Sequence, residues 1–440
     1  MKIKIHLNFT ELRKELSKAF GSIADWRQKS KINLSLHDVL MSGFACMYIQ
    51  DPSLLQFQKR LQEEQHRNNL KTLFDIEDIP KETQMREITD KVSSEYFRTI
   101  FKDFYCRLQR GKYLERYQVF PKTYYFPIDG SQFFSSNDVH CEQCLVKEHG
   151  NGSKSYSHQV LQGGIMHPDC SEVIPFMPEQ IVNTDGATKQ DCEMNAAKRL
   201  IEKIYKGFPQ LGLLIGGDAL FSKQPIIEDI LAYKMHYLFA AKPSDHQCMM
   251  EIVDFHRLNQ KIYFDEKGRK HFYEWVNDIP LNGNKPTVMV NFLRCTITGN
   301  NKKGEEEVLY KNSWVTDLVI SEDNIITLVK AGRCRWKSEN ECFNVMKNHG
   351  YYMEHSYGHG QNNLAFNFYL LTLLAFFFHQ IFELTDTQYK ACRKKLGSKK
   401  HLWETIRAYI KIIVFDKWET LLDFVLIPTS YRLSPLGNSP

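Results

Sequence analysis

The chain has 440 residues, 42% apolar and 25% charged, which is the make-up of an ordinary globular protein and more length than one small domain needs. Its formal charge of +5 permits nucleic-acid binding without arguing for it. Eleven cysteines, behind a start (Met1-Lys2-Ile3-Lys4-Ile5-His6) with no apolar run of signal length, point to a reducing, cytoplasmic setting and argue against a disulfide framework.

Residues 1–119 read as an all-α module. Leu12, Leu16 and Phe20 repeat at spacing four, Ser35 can cap a helix from Leu36 to Ile49, and Ser53 a helix from Leu54 to Gln65. Two more helices are expected, over Met85–Val92 and Tyr96–Leu108. Such a module is either a structural cap or a DNA-end-binding unit.

From residue 120 the pattern changes to strands alternating with helices. Strands are expected at Tyr124–Asp129 (continuing through Phe133-Phe134), His158–Ile165 and Val173–Met177. An amphipathic helix follows from about Lys189 to Tyr205, then a strand over Leu211–Ile215, a helix over Pro225–Lys234 with Pro near its first turn, and a strand over Tyr237–Ala241. Three strands in a meander followed by helix, strand, helix and strand is the order of a ribonuclease-H-like mixed sheet, in which the first and fourth strands lie side by side. The first reaches Asp129-Gly130 and the fourth closes on Gly217-Asp218, so two aspartates far apart in sequence would meet.

Residues 246–313 lose that rhythm. Short strands at Ile262–Phe264, His271–Trp275 and Thr287–Leu293, with turns at Gly268, Asn282-Gly283-Asn284 and Gly299–Gly304, suggest an antiparallel β insertion. Trp314 then starts the return to the main fold, a capped helix is expected near Ser321, and a helical stretch carries Arg335 and Glu339. The catalytic unit would thus comprise 120–245 and 314–385, leaving 386–440 as a C-terminal helical tail. The apolar run Leu364–Phe378 is shorter than the roughly 20 residues a bilayer span requires. It is interrupted by Asn367 and followed by His379, Gln380 and Glu383, so a buried helix rather than a membrane segment is expected.

Asp129-Gly-Ser, Gly217-Asp218-Ala219, the β insertion, Trp314-Val-Thr-Asp and Arg335-Trp-Lys-Ser-Glu339 together resemble a DDE transposase of the insertion-sequence-four type. The resemblance covers roughly residues 120–385. In that group an Arg precedes the glutamate by four positions, as Arg335 precedes Glu339. A Tyr often stands three before the Arg, where this chain has Gly332, and a Lys seven after the Glu, where it has Met346 followed by Lys347.

The resemblance implies metal-dependent cleavage and strand transfer at the inverted-repeat ends of an insertion sequence. Double-stranded DNA would be the partner, and a homodimer would form in the synaptic complex. Two Mg²⁺ or Mn²⁺ ions are implied, with Asp129 bridging, Asp218 on one ion and Glu339 on the other. Carboxylates are the hard oxygen ligands such ions take. A nuclease of the same fold without strand transfer, and an inactive DNA-binding derivative, are the alternatives.

Singly, each residue has a plainer reading. Asp129 and Asp218 could be ordinary strand-end acids, and Arg335 with Glu339 a surface ion pair. On a helix Arg335, Glu339, Phe343 and Lys347 share one face at spacing four and Glu341 does not, which makes Arg335 and Lys347 candidate phosphate contacts. Trp314 would stack on a flipped base or pack in the core, and Lys242 would touch DNA or be solvated. Separately, His140-Cys141-Glu142-Gln143-Cys144 holds half a structural Zn²⁺ site at Cys141 and Cys144, to be completed by His149 or His158, or else two free loop thiols.

Overall fold

The computed structural model describes residues 5–61, 64–183, 192–283, 288–301, 304–355 and 357–428. The expected starts of the helix at Lys189 and of a strand at Thr287, together with Asn284, Lys302 and Lys303 of the turns and residues 429–440 of the tail, lie outside them. The protein is mixed α/β, with twelve strands among the described residues joined in one mixed sheet. In chain order these are β1 (Gln118–Phe120), β2 (Thr123–Ser136), β3 (Leu145–Glu148), β4 (Lys154–Ile165), β5 (Ile174–Pro175), β6 (Glu179–Ile181), β7 (Gly212–Gly217), β8 (His236–Ala240), β9 (Asn259–Phe264), β10 (Lys270–Pro280), β11 (Met289–Asn300) and β12 (Glu306–Thr316).

The sheet runs β3-β4-β2-β7-β8-β12-β11-β10-β9. Strands β2, β7 and β8 are parallel, while β4 pairs antiparallel with β2, and β6 antiparallel with β4. The helices Glu193–Gly207 and Gln224–Ala232 connect β6 to β7 and β7 to β8. The third strand of the meander, expected at Val173–Met177, is only the short β5, and β6 follows beyond its expected end. The expected β insertion is continuous with the main sheet: β12 pairs with β11 from Glu306 to Thr316 and with β8 through Trp314, Val315 and Thr316. A boundary at 313/314 therefore falls inside one strand. The helix expected to be capped at Ser321 begins at Ile325 with Asn324 before it.

The two ends of the chain share a single core. The helix Leu364–Thr385 passes between the N-terminal helices and the β2–β4 part of the sheet. Phe378 meets Phe44 at 4.9 Å and Phe104 at 5.0 Å. On the sheet side, the Tyr369 hydroxyl donates to Gln162 on β4, and Gln380 accepts from the Val173 backbone. The C-terminal helix Trp418–Leu426 brings Trp418 against Phe9, and Asn69 donates to the Ile410 and Ile413 carbonyls. The described N-terminal helices thus pack against the rest of the protein through Phe9, Phe44, Asn69 and Phe104. By length and composition Leu364–Thr385 could cross a membrane, but 94% of its most apolar window is buried inside the protein. Asn367 donates to the Thr89 and Val92 carbonyls, and His379 bonds the Tyr351 hydroxyl.

Candidate functional site

The β2–β7 ladder decides where the two aspartates sit. Its register runs from Thr123 opposite Gly212 to Pro127 opposite Gly216. Asp129 and Asp218 each lie two residues beyond the last pair of that ladder, Asp129 inside β2 and Asp218 just past the end of β7, near enough for the Asp218 charge to act on Asp129. Asp218 lies in the turn leaving β7, where its carboxylate accepts the Leu220 N–H at 2.8 Å. That turn is held to the loop after β8 by the buried Ser222 hydroxyl, 2.7 Å from His246 Nε2.

Arg335 and Glu339 approach Asp129 from the other side. Arg335 Nη1 lies 3.2 Å from Asp129 Oδ2. The Asp129 carboxyl is nevertheless held above the usual carboxylate range. Burial is the main cause, opposed by Arg335 and reinforced by the charges of Asp218 and Glu339. Glu339 is thus an acid whose charge Asp129 feels.

The backbone under Glu339 departs from the uniform α-helix expected. Residues Ser338–Phe343 form a π-helical turn, a device that inserts an extra residue and recurs at functional sites. Spacing four then no longer keeps one face. Phe343 and Met346 are fully buried, and Lys347 turns outward one position later to pair with Glu354 at 3.1 Å. The turn is anchored by Lys337, whose buried ammonium donates to the carbonyls of His167 at 2.9 Å, Pro168 at 3.0 Å and Cys170.

A fourth acid joins the set. Glu193, the first residue of its helix, lies directly over Gly130: a Cβ at 130 would sit 2.3 Å from Glu193 Oε1, so a larger residue there would push the Glu193 carboxylate aside. Its carboxyl is also raised, by burial and then by the charges of Asp218 and Asp129. Nothing in the sequence distinguishes it, because the first turn of a helix is where acids ordinarily stand. An open cleft of about 710 Å³ adjoins it, lined by Gln132, Lys147, Ser157, Gln159, Glu193 and Leu220 among others.

Trp314 is not at this surface. It is 2% exposed, paired across the sheet with Leu293 and Ala240, and pressed on Gly332, where a Cβ would meet its indole nitrogen at 2.6 Å. The core reading of Trp314 stands over the base-stacking one, and Gly332 has no side chain because the indole fills its place. The exposed tryptophan of the region is Trp336, 49% accessible and next to Arg335. Lys242 is exposed beyond the end of β8, at the same end of the sheet as Asp218.

The structure also gathers Cys141, Cys144, His158 and His359, whose ligand atoms all lie within 4.8 Å of one another, a set able to hold a metal ion such as zinc. His149 is not part of it and bonds Ser155 instead. His359 is 201 positions from His158, so no local spacing announces it. Comparison with protein-family models finds no match for the chain, and comparison with curated proteins finds none either.

Proposed function

We propose that this protein is a DDE transposase resembling the insertion-sequence-four group, which cuts the inverted-repeat ends of its own element and joins them to target DNA. The observation that carries the reading is that Asp129 on β2 and Asp218 just past the parallel strand β7 come close to Arg335 and Glu339, which lie on the segment that follows the helix Ile325–Cys334. The meander β2-β4-β6 followed by parallel β7 and β8 supports a ribonuclease-H-like catalytic domain.

The donor set fits divalent cations. Asp129, Asp218, Glu339 and the adjoining Glu193 offer hard oxygen ligands, and the carboxyls of Asp129 and Glu193 are raised first by burial and then by neighbouring negative charge, the part that a cation would relieve. Mg²⁺ or Mn²⁺ held there would supply Lewis-acid activation of the attacking and leaving oxygens of a phosphodiester. Arg335 neutralises Asp129 in the free protein. On substrate entry its planar fork can transfer to a phosphate oxygen, the recognition for which guanidinium is suited. Lys337 holds the helix so that Glu339 faces Asp129, and Trp336 offers an exposed ring to an unstacked base beside the scissile phosphate. Two ends must be processed together, which calls for two copies of the chain on DNA.

The test is cleavage and joining of a labelled terminal-repeat duplex with Mg²⁺, beside Asp218→Asn and Glu339→Gln. The wild type should cut and join, and each variant should bind the duplex and do neither. Wild-type protein that binds the ends but cuts with no divalent metal would overturn the reading. Cutting without joining would leave a nuclease.

A further inference from the structure

We propose that Cys141, Cys144, His158 and His359 form a closed Cys₂His₂ site for one Zn²⁺. In this site the ion clasps the β3–β4 region beyond Asp129 to the segment that follows the Glu339 helix. The geometry argues for it. Tetrahedral zinc with Zn–S of about 2.3 Å and Zn–N of about 2.0–2.1 Å requires S···S near ~3.8 Å, S···N near ~3.5 Å and N···N near ~3.4 Å. The four side chains already stand close to these edges. Cys141 Sγ and Cys144 Sγ are 3.9 Å apart. His158 Nε2 lies 3.6 Å from Cys141 Sγ and 3.5 Å from Cys144 Sγ. His359 Nε2 lies 3.3 Å from Cys144 Sγ and 3.1 Å from His158 Nε2.

Two thiols and two imidazoles converging through the same ring nitrogen do not make a hydrogen-bonded cluster of obvious worth, but they do make a ligand set. The surroundings agree. The Cys141 carbonyl accepts the Cys144 N–H in a tight turn that aims both sulfurs inward. His359 Nδ1 pairs with the Gly360 carbonyl at 2.8 Å, which fixes the tautomer that leaves Nε2 free for a metal. Phe133 lies against His158 and Phe134 against His359, an apolar shell that limits access of water. With four protein ligands no coordination position is left for substrate, so the role is structural.

The clasp joins parts of the chain that lie far apart in sequence. Cys141 and Cys144 precede β3, and His158 is on β4, the partner of β2. His359 sits between Gly358 and Gly360, both at positive φ, in the turn entering Leu364–Thr385. That turn is held from its other side by Asp90, whose carboxylate accepts the N–H groups of Gln361, Asn362, Asn363 and Leu364. The ion would therefore tie the Asp129-bearing half of the sheet to the chain emerging from the Glu339 helix.

The experiment uses the full chain, purified under reducing conditions without chelator. Element analysis should find one zinc per chain. Replacement by Co²⁺ should give the visible absorption of a tetrahedral thiolate site, and a chelator should remove the ion and lower Tm. His359→Ala should weaken zinc binding by more than the roughly 10–100-fold that loss of an outer partner costs, while His149→Ala leaves it unchanged. If His359→Ala fails to fold, the wild-type Co²⁺ spectrum still decides. Reduced wild-type protein with neither zinc nor a tetrahedral Co²⁺ spectrum, or His359→Ala binding zinc as tightly as wild type, would overturn the proposal. The same zinc content is expected in Asp218→Asn, so this result is independent of whether the protein cuts DNA.

Discussion

Lys337 offers the sharpest test of how the Glu339 helix is held. Its side chain is buried, and its ammonium is shared among the carbonyls of His167, Pro168 and Cys170. Lys337→Met keeps the aliphatic stem and deletes the charge, leaving the Pro168 and Cys170 carbonyls without this donor while the His167 carbonyl keeps the Cys170 N–H. A buried acceptor left unpaired costs about 1–3 kcal/mol. The loop can rehydrate in part and the ammonium no longer needs burying, so the low end applies, and the sum is about 2 kcal/mol. For a chain of this length unfolding as one unit that corresponds to a fall of about 2 °C in Tm. Glu339 is two residues away at the start of the π turn, so the loss of anchorage should be felt there. A displacement of about 1 Å at a reacting centre costs on the order of 10²-fold in rate. Thermal unfolding by calorimetry and metal-dependent cleavage of a terminal-repeat duplex read the two effects, with duplex binding as the control. A variant that melts with wild-type Tm and cuts at the wild-type rate would refute the idea that these three bonds position the helix.

Other expectations follow from the same contacts. Asp129 and Glu193 are held above the ordinary carboxylate range, chiefly by burial, so the folded protein binds their protons more tightly than the unfolded chain does. Their contribution to stability therefore falls as pH rises from the ordinary carboxylate range through the raised folded values. Glu193→Gln should flatten that fall and raise Tm at neutral pH relative to wild type; parallel Tm–pH curves for the two proteins would count against it. Trp314→Ala should lose about 3–5 kcal/mol of stability by opening a cavity in the core. Trp336→Ala should leave stability unchanged and weaken single-strand-containing DNA by about 1–3 kcal/mol, measured by fluorescence anisotropy; the reverse pattern would exchange the two roles. Arg335→Lys keeps the charge but not the fork, and should cut far more slowly than it loses duplex binding.

How much of this was legible in the sequence depends on the range of the physics involved. The alternation of apolar runs and amphipathic helices marks β2, β4, β7 and β8 and the helices between them, because strand and helix periods are local properties. The buried character of Leu364–Thr385 could be read from Asn367, His379 and Gln380, which need partners that lipid lacks. Strand β12 was harder. Its outer half, Glu306–Val308, is exposed and carries acids, and its identity comes from its long pairing with β11.

By itself the sequence determined the mixed α/β rhythm, the strands that carry or lead to Asp129 and Asp218, the Arg335–Glu339 spacing and the Cys-x-x-Cys turn, all of which are set by residues within a few positions of one another. Only the tertiary structure decided the rest. It put Glu193 over Gly130, sent Trp314 into the core against Gly332, shifted the face of the Glu339 helix with a π turn, and brought His359 to Cys144. Each of these depends on which distant surfaces come into contact, and that is settled by packing of the whole core, for which no local pattern of residues carries a record.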